Sequence, residues 1–170
     1  MQHKSLTVER LRQIAHYDPE TGIFTRIGRT ARKGRIGARM GTFAHGKYRR
    51  IAIDGALHYE HRLAWLYMTG EWPKGRLDHR DMDPSNNTWS NLREATHDQN
   101  LANTGPSKNN TSGFKGVHFY KKYQKYAAEI TAYGKNYFLG YFECPEDASE
   151  AYAAKAGELF GEFAKIPCSP

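Results

Sequence analysis

Residues 103–113 read NTGPSKNNTSG and carry no large apolar side chain. A run rich in Gly, Pro, Ser and Asn between two patterned stretches is linker and turn chemistry. It predicts that the 170 residues fold as separate small modules rather than around one large core. We take 105–112 as the linker, with 1–60 a basic helix and hairpin region, 61–104 a central core and 113–170 a last module.

Ahead of the linker the signals are local. Val8, Leu11 and Ile14 mark a short amphipathic helix, with Thr7 as its N-cap and Leu6 stapling against Leu11. Residues 17–22 (YDPETG) are turn chemistry, and 23–26 read as a strand. Residues 28–46 are rich in Gly and Arg with weak periodicity, which predicts an exposed loop or loose hairpin. Residues 48–53 and 57–59 alternate apolar and polar side chains around Asp54-Gly55, a strong hairpin signal. A short helix over 61–67 follows, ended by Gly70 and Pro73, with Leu63, Trp65 and Leu66 as core. A polar loop from 77 through 88 leads to a helical stretch near 98–103.

Beyond the linker, 115–120, 126–132 and 137–142 alternate in hydrophobicity and are joined by short polar turns. Pro145 suits a helix's first turn, and Glu146 and Asp147 suit its positive end. Ala148, Ala151, Tyr152 and Leu159 then recur at helical spacing. The expected fold class is α+β, ending in a three-stranded antiparallel sheet packed on one helix. Phe114, Phe138, Tyr141 and Phe142 are expected in its core.

Charge narrows the partner. The net charge is +7 and the pI about 9.4. Residues 26–50 hold nine Lys/Arg and no Asp/Glu, and 106–140 hold six Lys against one Glu. Two basic segments favour nucleic acid first and an anionic membrane second. No apolar run is long enough for a membrane helix, and the first residues lack a signal peptide's apolar stretch. Cys144 and Cys168 form no CxxC pair, so neither a zinc knuckle nor a disulfide framework is implied. A cytoplasmic protein is the simplest expectation.

Polar residues concentrate at Asp78-His79, Asn86-Asn87, Asn91, Gln99-Asn100 and Asn103. Phosphodiester hydrolysis needs a base for water, a cation for the growing charge and something to orient the base. A neutral imidazole suits the first role. A carboxylate with an amide oxygen suits a hard, magnesium-like ion. An Asn side chain or a carbonyl can hold the far side of the imidazole.

The stretch RLDHRDMDPSNNTWSNLREATHDQNLAN resembles the HNH, or ββα-metal, nuclease motif. That pattern is Asp/His-His, about a dozen residues, an Asn before Leu, and a final His or Asn nine residues later. Asp78-His79, Asn91-Leu92 and Asn100 stand at those places. The resemblance implies that His79 activates water, that Asp78 and Asn100 ligate the metal, and that Asn91 holds the loop and orients His79. Asn in the last place favours magnesium or manganese over zinc, with His97 the alternative ligand. Asn87 and Asn103 read as structural. The preceding HRLAW resembles what leads into the motif in phage-type HNH proteins. His61 reads as a satisfied core histidine, with a catalytic role the alternative.

The last module, with GFKGV, KYAAEI, LGYF and an alanine-rich helix, resembles the plant ethylene-response-factor (Apetala-two) domain. That resemblance implies a sheet face that enters the DNA major groove. Lys115, His118, Tyr120, Lys122, Lys125, Lys135 and Tyr137 lie on or beside the strands. Arginine is absent after Arg93 and tryptophan after Trp89, so phosphate contact is better supplied than base readout. Arg32, Lys33, Arg35, Arg39, Arg49 and Arg50 would add phosphate contacts, and Arg93 could reach the scissile phosphate.

Together the two resemblances imply a phage or homing-type endonuclease of double-stranded DNA. It would act in a host cytoplasm, nicking as a monomer or cutting both strands as a dimer. The alternatives are a DNA-binding regulator with a vestigial motif and, on charge alone, an RNA-binding protein.

Overall fold

The computed structural model of the chain describes residues 6–29, 34–44 and 47–165. It is a mixed α and β structure of several small sheets, divided into two compact units, Met1–Ala95 and Thr96–Pro170.

The first unit opens with α1 (Val8–Ile14). Thr7 caps it, its hydroxyl accepting from the Arg10 N–H at 3.3 Å. The chain passes directly into β1 (Ala15–Asp18), which pairs antiparallel with β2 (Ile23–Arg26). The turn read over 17–22 is therefore tighter, and Tyr17 and Asp18 belong to a strand. Tyr17 and Phe24 face each other across the pair with ring centroids 4.8 Å apart, both fully buried.

Residues 28–46 are not wholly an exposed loop. The Arg26 N–H donates to the Ala38 carbonyl at 2.9 Å and the Met40 N–H to the Phe24 carbonyl at 2.8 Å. Met40 is thereby carried into the core. β3 (Thr42–Phe43) then pairs with β4 (Arg49–Ile53), which pairs with β5 (Ala56–Tyr59). Asp54 (φ 45°) and Gly55 (φ 88°) form the hairpin turn with positive φ at both positions. The Asp54 carboxylate accepts from Arg10 Nε and Nη2 at 2.7 and 2.9 Å.

α2 (Glu60–Thr69) begins at once and stops at Gly70, whose φ of 82° lets its N–H reach the Leu66 carbonyl. It buries Leu63, Ala64 and Leu66 against Leu11, Ile14, Ile51 and Ile53. β6 (Arg76–His79) and β7 (Leu92–Ala95) close the unit as an antiparallel pair.

The second unit has α3 (His97–Ala102), β8 (Val117–Tyr120), β9 (Lys125–Ala132), β10 (Lys135–Phe142) and α4 (Pro145–Phe160). Its strands are antiparallel in the order β10-β9-β8. Tyr152 and Ala156 of α4 bury against Ile130 and Ala132 of β9, and Ala148 against Val117 and Ala128. Gly116 (φ 70°) admits Tyr152, because a Cβ there would lie 2.2 Å from its ring. Residues expected to form a linker are drawn into this unit. The Asn110 side chain donates to the Phe114 and Val117 carbonyls, and the Ser112 hydroxyl bonds the same two. Phe138 and Tyr141, expected in the core, are 57% and 41% exposed. They join Tyr120 and Tyr123 in an exposed aromatic cluster. No helix among the described residues is long and apolar enough to cross a membrane.

Candidate active site

Pairing of β6 with β7 sets Asp78 opposite Arg93 and His79 opposite Leu92. Asp78, His79 and Arg93 are all buried. Arg93 Nε and Nη2 lie 2.9 and 2.8 Å from Asp78 Oδ2, both side chains under a tenth exposed. Arg93, read as a phosphate contact, is thus engaged with the neighbouring carboxylate.

The loop over 80–91 is organised by its own short polar side chains. Asn91 Oδ1 accepts from the Asp81 N–H at 3.0 Å. Its Nδ2 donates to Asp81 Oδ1 at 2.9 Å and to the Asn86 carbonyl at 2.8 Å. Asp81 also accepts from Asn86 Nδ2 at 2.6 Å and from the Asp83 N–H at 2.8 Å. Burial works against the Asp81 carboxylate, but the bonds from Asn86, Asp83 and Asn91 outweigh it and lower its pKa. Asn91 therefore holds the loop.

The amide against the catalytic candidate is that of Asn87, whose Oδ1 lies 3.1 Å from His79 Nε2. Asn87 is itself held from behind. Its Nδ2 donates to Glu60 Oε2 at 3.0 Å, and its carbonyl accepts from the Tyr17 hydroxyl at 2.6 Å. Burial, Asp18 and Glu60 together push the Tyr17 phenol well above its usual pKa, so it stays a donor. Gly22 (φ 69°) lets the β1–β2 turn press on this point, where a Cβ would sit 2.4 Å from the Asn87 carbonyl carbon.

Glu60 is fully buried and lies 3.2 Å from Arg49 Nε. Burial raises its pKa, against the pull of Arg49, Arg39 and Asn87. Arg49 also donates to the Gly41 carbonyl at 2.8 Å and stands over the Phe43 ring. The His79 ring is flanked by aromatic walls, with the His61 and Tyr48 centroids at 5.3 and 6.2 Å. Burial, His79 and Arg62 bring the His61 pKa down to about 3, so its ring is neutral at ordinary pH.

Sequence reasoning missed Glu60 and set Asn87 aside as structural. The available signal was a lone Glu at the start of an apolar helix; Asp54 is the other acidic residue between 21 and 70.

The remaining candidates fall into three groups. Arg32 and Lys33 lie outside the described residues. Arg35 and Arg39 are exposed, whereas Arg49 turns inward and Arg50 bonds the Tyr59 hydroxyl at 2.7 Å. In the second unit His118, Tyr120, Lys122 and Lys135 are exposed, Lys125 pairs with Glu143 and Tyr137 lies under Lys135. Lys115 is placed differently. Its ammonium donates to the carbonyls of Leu101, Ala102 and Thr104 at 2.7–2.9 Å, closing the C-terminal end of α3. Burial and Lys165 lower its pKa to about 8. Asn100 is half-buried on α3 and His97 is exposed at its first turn.

Among the described residues no group of three or more His, Cys, Asp or Glu could hold a metal.

Residues 58–102 match the family model described as HNH endonuclease. Protein 3.8 of Escherichia phage T7 is 34% identical over 107 residues, covering 62% of this chain and 88% of that protein. An uncharacterized HNH endonuclease of Acanthamoeba polyphaga mimivirus is 37% identical over 106 residues, 61% of this chain and 54% of that protein. No solved structure matches.

Proposed function

Because the chain belongs to the HNH endonuclease family, with phage and viral relatives, we propose that it is a metal-dependent endonuclease of double-stranded DNA with His79 as its general base. The observation that carries this is the buried His79 beside Asp78 on β6, its ring held at 3.1 Å by the Asn87 amide within the family-matched segment. His79 takes a proton from the water that attacks phosphorus, and the bond from phosphorus to the leaving sugar oxygen breaks. Asp78 would hold a magnesium or manganese ion, its carboxylate steadied by Arg93. Asn100 joins it on the spacing of the motif alone. Such an ion supplies charge stabilisation at the phosphate. Asn91 acts by fixing the loop that carries Asn87.

In this proposal residues 61–104 form a ββα-metal core and 113–170 an ethylene-response-factor-like module that directs it to a target. His118, Tyr120, Lys122, Lys125, Lys135 and Tyr137 would meet DNA on that sheet. Arg35, Arg39 and Arg50 would add phosphate contacts. A homing role in a phage-infected host suits this combination of cutting and targeting.

The test is nicking of supercoiled plasmid with magnesium, wild type against His79→Ala. A loss of about 100-fold or more is expected for a general base. Equal product from a folded His79→Ala would remove the base assignment, and no product from wild type would favour a DNA-binding protein that does not cut.

A further inference from the structure

Glu60 is fully buried in the first turn of α2, and its Oε1 has no hydrogen-bond partner among the described residues. A buried charge is costly unless it is paired, and replacing such a pair by apolar residues is often neutral or favourable. Its remaining oxygen accepts from Asn87 Nδ2 at 3.0 Å and forms an ion pair with the Arg49 guanidinium, whose Nε lies 3.2 Å away.

An asparagine amide presents an acceptor at one end and a donor at the other, in nearly the same shape. The backbone of Asn87 is fixed by the Tyr17 hydroxyl and by the close approach of Gly22. That leaves the amide flip as the variable. With Nδ2 toward His79, the ring nitrogen it meets would have to accept, and the ring proton would sit on Nδ1. With Oδ1 toward His79, that nitrogen must donate.

We propose that Glu60 is a positioning residue for the nuclease base. Its carboxylate, held by Arg49, turns the Asn87 amide so that Oδ1 faces His79, puts the ring proton on Nε2 and assigns the basic lone pair to Nδ1. The proposal rests on the reading of His79 as base. The relay runs from β4 through the start of α2 and the loop to β6. It fixes the tautomer as an acceptor carbonyl would, while using a side chain that a carboxylate must orient. The sign of the effect follows from chemistry. An ionised carboxylate paired with Arg49 can only accept, so the amide's N–H₂ end is drawn to it and the carbonyl end is delivered to the imidazole.

The experiment uses the full chain, labelled with ¹⁵N, without metal, at a pH where the imidazoles are neutral. Long-range ¹H–¹⁵N correlation reports which ring nitrogen of His79 carries the proton, the signal being assigned by its absence from His79→Gln. Wild type and Glu60→Gln are expected to show the Nε2–H form, because a glutamine oxygen can stand where Oε2 stands. Glu60→Met is expected to show the Nδ1–H form or a mixture. If it does not fold, Arg49→Met with Glu60→Met replaces the ion pair by an apolar pair and gives the same readout. Nicking with magnesium should fall about 10- to 100-fold in the apolar variants, as when an orienting partner is lost. The loss should appear in kcat with KM little changed, and Glu60→Gln should recover most of it. An unchanged tautomer in the folded apolar variants overturns the proposal, as does a changed tautomer with undiminished nicking. Failure of the base assignment is separate and is read from His79→Ala alone.

Discussion

Replacing Arg93 with leucine removes a cation from beside a carboxylate that is 5% exposed. Two guanidinium nitrogens converge on Asp78 Oδ2 at 2.9 and 2.8 Å, directly across the β6–β7 pair. Opposite unit charges about 4 Å apart attract by about 4 kcal/mol at an effective dielectric of about 20. Breaking a buried pair from one side costs about 3–5 kcal/mol, since the partner stays buried and uncompensated. Arg93→Leu and Asp78→Asn should therefore each destabilise by about 3 kcal/mol. The double variant leaves no buried charge at this pair, so its loss should fall short of the sum by about 2–4 kcal/mol. Urea unfolding in the presence of a chelator measures this without metal binding at Asp78. Trp65, Trp72 and Trp89 all lie in the first unit, so tryptophan fluorescence reports on that unit. With a slope of about 1–3 kcal/mol per molar urea, each single change moves the midpoint by about 1–3 M. A coupling under about 0.5 kcal/mol is the value of an exposed ion pair and would refute the reasoning. The consequence for assays is direct: lost nicking in Asp78 or Arg93 variants speaks to metal or phosphate only after stability has been matched.

Acid sensitivity should depend on His61. Its folded pKa of about 3 lies below the unfolded value near 6.5, so between those values the unfolded chain binds more protons and stability falls as pH falls. The cost is about 1.4 kcal/mol per pH unit, and His61→Phe should lose that slope when urea midpoints at pH 7 and pH 5 are compared. Gly22→Ala should lower Tm well beyond Gly55→Ala. Both need positive φ, worth about 1–2 kcal/mol, but at Gly22 the new Cβ also meets the Asn87 backbone at 2.4 Å, whereas nothing lies within 4 Å at Gly55. Equal Tm values would show that the β1–β2 turn does not press on Asn87. Asn100→Ala should raise the magnesium concentration for half-maximal nicking while His97→Ala leaves it alone; the reverse result would make His97 the ligand.

What was legible in the sequence is what local chemistry decides. Thr7 caps α1 with its own hydroxyl three residues ahead of the N–H it meets. Asp54-Gly55 turns a hairpin because both adopt positive φ, and Pro145 opens α4 where its missing N–H costs nothing. What was not legible is what distant segments decide. Met40 sits in a Gly- and Arg-rich stretch and becomes core because its N–H pairs with the Phe24 carbonyl. Lys115 has the composition of a DNA contact, yet three carbonyls at the end of α3 take its ammonium. Glu60 gave no periodic signal, since its partners Arg49 and Asn87 lie far off in the chain.

Asn86 and Asn87 show the same limit within two residues. Asn86 accepts from Thr88 and donates to Asp81, which is the turn chemistry its composition suggests. Asn87 does neither of these, and its amide joins residues from two other elements. The motif's spacing can be understood from this difference. Asp78 and His79 are neighbours on β6 but are supported by different partners. Asp78 takes support from the facing strand, at Arg93. His79 takes its support from the loop, and that loop must place Asn87 between the imidazole and Glu60 before Asn91 returns the chain to the ladder. The Arg80 N–H, bonded to the Asn91 carbonyl at 2.9 Å, marks where the two strands rejoin. A residue inserted between 82 and 86 would leave the Asp78–Arg93 pair intact and displace Asn87. Loop length is therefore constrained by the base rather than by the carboxylate.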